Sequence, residues 1–132
     1  MRIALIALLI VGHTAAAKPP PTPVVRLSPA KAAALSTYAP LPEYPLEARR
    51  QRITGTGVFY MEVQIATGKV QRVDVERSTG SRLLDIAALS AFNRWRFKPQ
   101  ALRSLQRKYA PSEKSGEMGV RLPTTFSLRG KT

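Results

Sequence analysis

Apolar and polar side chains alternate from Gly57 to Ile65, and this pattern restricts the fold of the chain more than any other. The apolar members share one side of an extended chain: Phe59, Met61, Val63 and Ile65. A period of two with one polar side is typical of a half-buried antiparallel strand. Because residues 66–69 favour a turn, residues 70–77 are predicted to return as the second arm of a hairpin. The apolar phase shifts after Val70, which predicts a bulge at Gln71 or Arg72.

The apolar side of this hairpin needs a cover, and the segment from Leu83 to Trp95 has the pattern of a helix that can cover it. Its apolar residues recur at helical spacing and form one stripe: Leu84, Ala88, Ala91, Phe92 and Trp95. Ser81 suits the N-cap, and Asp85 suits the positive end of the helix rather than a catalytic acid. We assign Phe92 and Trp95 to the core. A shorter helix is predicted over residues 45–52.

The last predicted strand, Val120 to Leu128, contains Pro123. Proline cannot donate a hydrogen bond to a strand ladder, so this strand is predicted to lie at the edge of the sheet. An unpaired edge can bind a strand from another chain. A proline at an edge can equally serve to prevent aggregation, and the pattern alone favours neither interpretation.

The composition argues against an enzyme or a metalloprotein. The chain has no Cys and one His, His13, and its carboxylates form no recognisable catalytic pair. Thiol nucleophiles, thiolate metal sites and histidine general bases are therefore excluded from the region after residue 17, and we expect no catalytic residue, metal or cofactor. The formal net charge of +13 attracts polyanions without specifying one.

Residues 1–17 have the three parts of a secretory signal peptide. Arg2 is followed by an apolar run from Ile3 to Val11, and small residues stand at Ala15 and Ala17. Cleavage after Ala17 would place the protein in the periplasm, where nucleic acid is not an expected partner. The alternative is an uncleaved anchor in the inner membrane with the domain on its periplasmic side, although the apolar run is short for a span of roughly 20 residues.

Residues 18–43 form a proline-rich segment, hereafter the lead. Eight prolines stand between Lys18 and Pro45, with few large apolar side chains. This composition predicts a flexible, extended lead that buries no core. One short helix is predicted inside it, with Ser28 as N-cap and Pro29 in the first turn. The folded domain is predicted over residues 44–129.

Several motifs occur in the order found in the C-terminal domain of the TonB family of energy transducers. The most specific is Leu84-Asp85-Ile86-Ala87-Ala88 leading to Trp95-Arg96-Phe97-Lys98-Pro99. The others are Tyr44-Pro45, Gly55-Thr56-Gly57-Val58, Gly68-Lys69-Val70, Ser78-Thr79-Gly80 and Leu122-Pro123-Thr124-Thr125-Phe126. Together they cover about residues 41 to 129, so the chain resembles this family over nearly the whole predicted domain.

The resemblance implies an α+β fold, a three-stranded antiparallel sheet with two main helices packed on one face. In the family, this domain adds the TonB box, a short extended segment of an outer-membrane receptor, as a strand beside its last strand. The partner-binding residues it implies here are Leu41, Glu43, Tyr44, Thr124, Thr125, Phe126, Ser127 and Leu128. The implied partner is a TonB-dependent outer-membrane receptor or another envelope protein, with a separate motor-linked inner-membrane protein as a further candidate.

Two alternative functions stay open. A candidate helix over residues 100–108 carries Arg103, Arg107 and Lys108, a basic patch that suits a polyanion or a membrane surface. If residues 1–17 are an anchor, the chain is instead a minimal membrane-anchored energy transducer. A homodimer formed through the exposed edge is also compatible with the sequence.

Overall fold

The computed structural model describes residues 23–128 and contains ten regular elements. The strands are β1 (Val24–Arg26), β2 (Ser36–Tyr38), β3 (Gly55–Gln64), β4 (Val70–Arg77), β5 (Arg96–Phe97) and β6 (Glu117–Phe126). The helices are α1 (Pro29–Ala34), α2 (Leu46–Arg50), α3 (Arg82–Phe92) and α4 (Arg103–Tyr109). The predicted signal peptide, residues 1–17, lies outside the described residues. Within residues 23–128 no helix is both long enough and apolar enough to span a membrane.

The main sheet has the strand order β1-β6-β3-β4. β3 pairs antiparallel with β4 and with β6, so the last strand crosses over to lie beside the first arm of the hairpin. This is the three-stranded antiparallel sheet of the implied α+β fold. The structure adds a short fourth strand, β1, which runs parallel to β6. A separate two-stranded sheet pairs β2 with β5.

The core lies between the inner side of the main sheet and α3, as the two hydrophobic periods predict. Phe59, Met61 and Val63 of β3 are fully buried, and so are the alternate residues Val120 and Leu122 of β6. The predicted stripe of α3 is buried against them, with Leu84, Ala88, Ala91 and Phe92 at most 1% exposed. The hydroxyl of Ser81 accepts a hydrogen bond from the N–H of Leu84, which confirms Ser81 as the N-cap.

The hairpin confirms the predicted bulge and contains a second one. Glu62 pairs with Arg72 and Val63 with Val70, so Gln71 is the extra residue on β4. A second shift between the pairs Val58–Arg77 and Phe59–Val75 leaves Glu76 as another extra residue. Bulges of this kind bend the strand and increase its twist.

The expectation that the lead buries no core is wrong for residues 24–38. Val25 and Leu27 are 8% and 3% exposed, and Ala32 of α1 is fully buried. The proposed cap is present, since the Ser28 hydroxyl accepts from the N–H of Lys31 at 3.2 Å. A few small and branched apolar residues between the prolines suffice, because β1 and β2 form their ladders with distant strands.

The prediction of an edge position is correct for only part of the last strand. β1 pairs with β6 over Gly119, Val120 and Arg121, so this half of β6 is an interior strand. None of the described strands pairs with that side of the chain from Leu122 onward. Residues 122–128, which include Pro123, are called the open edge below.

Candidate partner-binding edge

The backbone groups that face the open edge can be assigned from the bonds of β6 to β1. The N–H of Gly119 donates to the carbonyl of Pro23 at 2.8 Å, and the carbonyl of Arg121 accepts from the N–H of Leu27 at 3.1 Å. In an antiparallel ladder, consecutive residues direct their backbone groups to opposite sides. The register of β6 against β3 is unbroken from Glu117 to Phe126, so Pro123 and Thr125 face the same side as Gly119 and Arg121.

This assignment explains the position of Pro123. Its missing N–H falls on the side that does not pair with β3, so the ladder between β3 and β6 loses no bond. The open edge then presents the carbonyl of Pro123 together with the N–H and the carbonyl of Thr125. An extended segment of another chain can bond to these groups largely independently of its sequence.

A cleft of about 280 Å³ lies beside the open edge. Its lining residues come from α1, from the segment before α2, from the end of α3 and the loop after it, and from β6 and the residue after it: Pro29, Leu41, Pro42, Tyr44, Phe92, Trp95, Thr124, Thr125, Phe126 and Ser127. The lining is mostly apolar or aromatic, and the volume is at the small end for ligand sites. The cleft suits the inward-facing side chains of an added strand rather than a cofactor.

Tyr44 forms one wall of the cleft and is held at several points. Its hydroxyl donates to the carbonyl of Ile53, just beyond α2. Its ring packs edge-on against Phe126 with centroids 5.6 Å apart, and the Arg49 guanidinium lies 5.3 Å from the ring centroid. These contacts fix the wall relative to β6, so the cleft is formed before any partner arrives.

Trp95 connects the segment before Tyr44, which also lines the cleft, to the core. Its indole N–H donates to the carbonyl of Pro40 at 2.8 Å, which ties the segment before Tyr44 to the end of α3. Trp95 and Phe92 are each 1% exposed, and their rings lie 5.4 Å apart in an edge-on arrangement. Their assignment to the core is confirmed, and they also form the bottom of the cleft.

Thr125 has an exposed side chain as well as outward-facing backbone groups. Its hydroxyl lies 3.0 Å from the hydroxyl of Thr56 on β3, across the outer side of the sheet. The side chains of Thr124 and Phe126 point to the opposite, buried side. The backbone of Thr125 is therefore available to a partner while its hydroxyl is bonded within the sheet.

The structure brings most of the predicted binding residues together. Leu41, Tyr44, Thr124, Thr125, Phe126 and Ser127 all line the cleft. Glu43 lies instead on a neighbouring groove with Leu46, Leu83, Ile86 and Arg94, and Leu128 lies two residues beyond the end of β6, on a groove that Arg52 also lines. Sequence reasoning missed Pro29, because its place in the cleft depends on the non-local pairing of β1 with β6.

The predicted basic patch is on α4 and does not line the cleft. Arg103 bonds through its guanidinium to the side-chain oxygens of Gln100 at 3.1 Å and Gln106 at 3.2 Å. Arg107 and Lys108 are exposed on the same helix. Arg103 therefore acts in part as a structural residue, whereas the other two cations are exposed.

Asp85 has the structural role that its position predicts. Its carboxylate accepts hydrogen bonds from the Ser78 hydroxyl and from the N–H and hydroxyl of Thr79. Burial acts to raise the pKa of this carboxyl, but the hydrogen bonds from Ser78 and Thr79 outweigh it and hold the pKa below its ordinary value. Asp85 thus joins the loop after β4 to the first turn of α3. No cluster of potential metal ligands occurs among residues 23–128.

Comparison with known families identifies the domain. Residues 40–128 match the model of the Gram-negative bacterial TonB protein C-terminal family. The chain belongs to this family. The matched range contains all of the cleft except Pro29, and family membership places the chain among non-enzymatic proteins, as its composition predicts.

Curated relatives of this TonB C-terminal domain include two TonB proteins. The tonB2 protein of Pseudomonas aeruginosa is 39% identical over 62 residues, which are 47% of this chain and 23% of the relative. The TonB protein of Xanthomonas campestris pv. campestris is 32% identical over 87 residues, which are 66% of this chain and 34% of the relative. The match therefore spans about a quarter to a third of the relatives' length.

The fold is similar to a solved TonB domain. The solution structure of the P. aeruginosa TonB C-terminal domain superposes with a TM-score of 0.55 at 20% identity. The superposition covers 74% of this chain and 88% of that domain. At this identity the likeness concerns the fold, and it agrees with the α+β architecture expected from the resemblance.

Proposed function

We propose that the protein acts in TonB-dependent transport as a periplasmic binding module. In this proposal it adds an extended segment of an outer-membrane receptor, the TonB box, as a strand along the open edge. The observation that carries the proposal is the outward-facing backbone of Pro123 and Thr125 beside a preformed apolar cleft. Membership of the TonB C-terminal family supports the choice of partner.

The partner strand bonds to the Pro123 carbonyl and to both backbone groups of Thr125. Alternate side chains of that strand then enter the cleft that Tyr44 and Phe126 help to line, while the others face solvent. Because the cleft is mostly apolar, we expect apolar side chains at the inward-facing positions of the partner. The protein contributes binding geometry and no bond-making chemistry.

Thr125→Pro tests this mode directly. The substitution removes an N–H that the ladder with β3 does not use. The fold should tolerate a proline at this position, as it already tolerates Pro123 on the same side of β6. Titration of the isotope-labelled protein with TonB-box peptides should show amide shifts at residues 124–128, and Thr125→Pro should weaken binding at least about tenfold.

Two matched variants complete the test. Thr125→Ala keeps the N–H and should bind within about threefold of the parent, since the side chain contributes little. Thr124→Pro lies one residue away, on the side that bonds to β3, and should destabilise the domain instead. Absence of any shift at residues 124–128 at millimolar peptide would contradict the proposed function.

The same proposal places residues 1–17 in a cleaved signal peptide. Mass spectrometry of exported protein should give an N-terminus at Lys18. An intact N-terminus would show that these residues are retained, in favour of a membrane-anchored transducer. A motor-linked inner-membrane protein is the partner that the cleaved form would need to transduce energy.

A further inference from the structure

β1 occupies part of the strand edge that a partner would otherwise use. It lies along Gly119, Val120 and Arg121, and the chain leaves the sheet at Leu27. Ser28 then caps α1, and Pro29 lines the cleft. The start of α1 therefore stands at the junction between the covered half of β6 and the open edge.

The covering segment is attached to the domain at two separate places. β1 is held on β6 by its backbone bonds and by the burial of Val25 and Leu27. After α1, β2 pairs with β5, and the N–H of Lys98 donates to the carbonyl of Leu35 at 2.8 Å. Displacement of the whole segment from β1 through α1 would also disturb the core around Ala32.

This segment lies outside the residues that match the family. The match begins at residue 40, whereas β1, α1 and β2 end at Tyr38. The covered edge is thus a feature of this chain that the family model does not include.

We propose that β1 and the start of α1 limit the length and position of the partner strand. This inference rests on the proposed function of the open edge. With Gly119 to Arg121 already paired, the partner pairs only with residues 122–128, a length of about 23 Å at roughly 3.3 Å per residue. The chemistry that fits is a short extended segment of about five to seven residues. At the end that meets Leu27 and Pro29, its chain must turn away from the sheet.

Peptide length and hydrogen exchange test the inference on the unmodified chain. TonB-box peptides of five to twelve residues, extended from either end, should gain affinity up to about seven residues and then change by less than about twofold. The N–H of Leu27, which bonds to Arg121, reports on β1. It should exchange as slowly in the complex as in the free protein.

The outcomes separate this inference from the proposed function. Shifts at Thr125 together with lost protection at Leu27 would show that the partner displaces β1, and would overturn the length limit alone. A steady gain of affinity beyond seven residues toward Gly119 would do the same. Absence of shifts at Thr125 would overturn the proposed function and this inference with it.

A reversible disulfide gives an independent test. Arg26 and Arg121 face each other on β1 and β6 with exposed side chains, and the chain has no natural cysteine. The double variant R26C/R121C can form one disulfide that fixes β1 on β6. Oxidised and reduced samples should bind a seven-residue peptide within about twofold, and R26S/R121S controls for the two lost charges and for the lost Arg121–Glu76 ion pair. A tenfold loss on oxidation that dithiothreitol reverses would overturn the inference.

Discussion

Tyr44 shows how one residue can be both part of a binding site and part of the scaffold. The sequence indicates it as a contact residue, through the Tyr-Pro motif. In the structure its ring lines the cleft and packs at nearly a right angle to the ring of Phe126, while its hydroxyl bonds to the carbonyl of Ile53. The position of the wall therefore depends on a hydrogen bond that lies outside the cleft.

Removal of the Tyr44 hydroxyl should lower the stability of the domain more than its affinity for a partner. Tyr44→Phe leaves the carbonyl of Ile53 without its donor, and we expect a loss of about 1 kcal/mol in the free energy of unfolding. Tyr38→Phe is the matched control, because Tyr38 is 52% exposed and should change stability by less than about 0.5 kcal/mol. Urea unfolding of the three proteins measures both effects. Equal stabilities of the two variants would contradict the role of the bond.

The lowered pKa of Asp85 predicts how the stability of the domain depends on pH. Its pKa in the folded protein is lowered from 3.8, so its stabilising effect is complete above that value and is lost as pH falls through the lower, folded value. Asp85→Asn should be less stable than the parent at pH 7, and the difference should shrink below about pH 4. Thermal unfolding from pH 7 to pH 2.5 measures this. Asp74→Asn, which alters an exposed ion pair with Arg72, should show a much smaller effect.

At the scale of elements, the hairpin between β3 and β4 depends on Gly68. Its φ is +76°, and a Cβ there would lie 1.9 Å from the carbonyl oxygen of Phe97. Its own carbonyl accepts from the N–H of Phe97 at 2.9 Å, so the turn and β5 are in direct contact. The turn therefore has no room for a side chain at residue 68.

Gly68→Ala should therefore destabilise the domain by more than the roughly 1–2 kcal/mol of left-handed strain alone. Gly116→Ala is the control, since a Cβ at that position meets no atom within 4 Å. We expect it to change stability by less than about 1 kcal/mol, in either direction. Chemical unfolding of both variants distinguishes the two sites, and similar values for them would contradict the close approach to Phe97.

Some of these elements can be predicted from the sequence and others cannot. The bulge at Gln71 is predictable because Val70, Val73 and Val75 record the change of phase in their apolar side chains. The bulge at Glu76 is followed by polar residues, so no change in the phase of apolar side chains indicates it. β1 has only three residues between prolines, and its partner lies almost a hundred positions along the chain. Local composition cannot contain that information.

The open edge, too, could be predicted from the sequence only in part. Pro123 predicts an edge, and that is correct where Pro123 stands. The pattern could not indicate that Gly119 to Arg121 are covered, because the covering strand comes from a segment whose composition argues against strands. Six of the eight predicted binding residues line one cleft because they follow from the family's motifs, whereas Pro29 follows from this chain's own tertiary contacts.

At the scale of the whole molecule, the net charge of +13 bears on the choice between the two binding modes. The cleft is mostly apolar, and Arg107 and Lys108 lie on α4 away from its lining. Strand addition uses backbone bonds and apolar contacts, which ions screen little. Binding to a polyanion instead releases counterions and weakens steeply with salt.

Peptide binding should accordingly change less than about threefold between 50 and 200 mM salt. The double variant R107A/K108A should leave it unchanged, and titration calorimetry at the two salt concentrations measures both. A loss of about tenfold or more over this range, with a weaker salt dependence in the variant, would indicate a polyanion-binding patch instead.

The parallel pairing of β1 with β6 also has a mechanical consequence. Both strands start at the same end of the sheet, and residues 122–128 lie at the other. Tension between the chain before Pro23 and a strand bound at Thr125 would act along the two strands in opposite directions. The bonds at Gly119 and Leu27 would then be loaded in shear, together with the buried side chain of Val25, rather than opened one at a time. The attachment best resists a pull along the sheet and is weakest against one that peels β1 away from it.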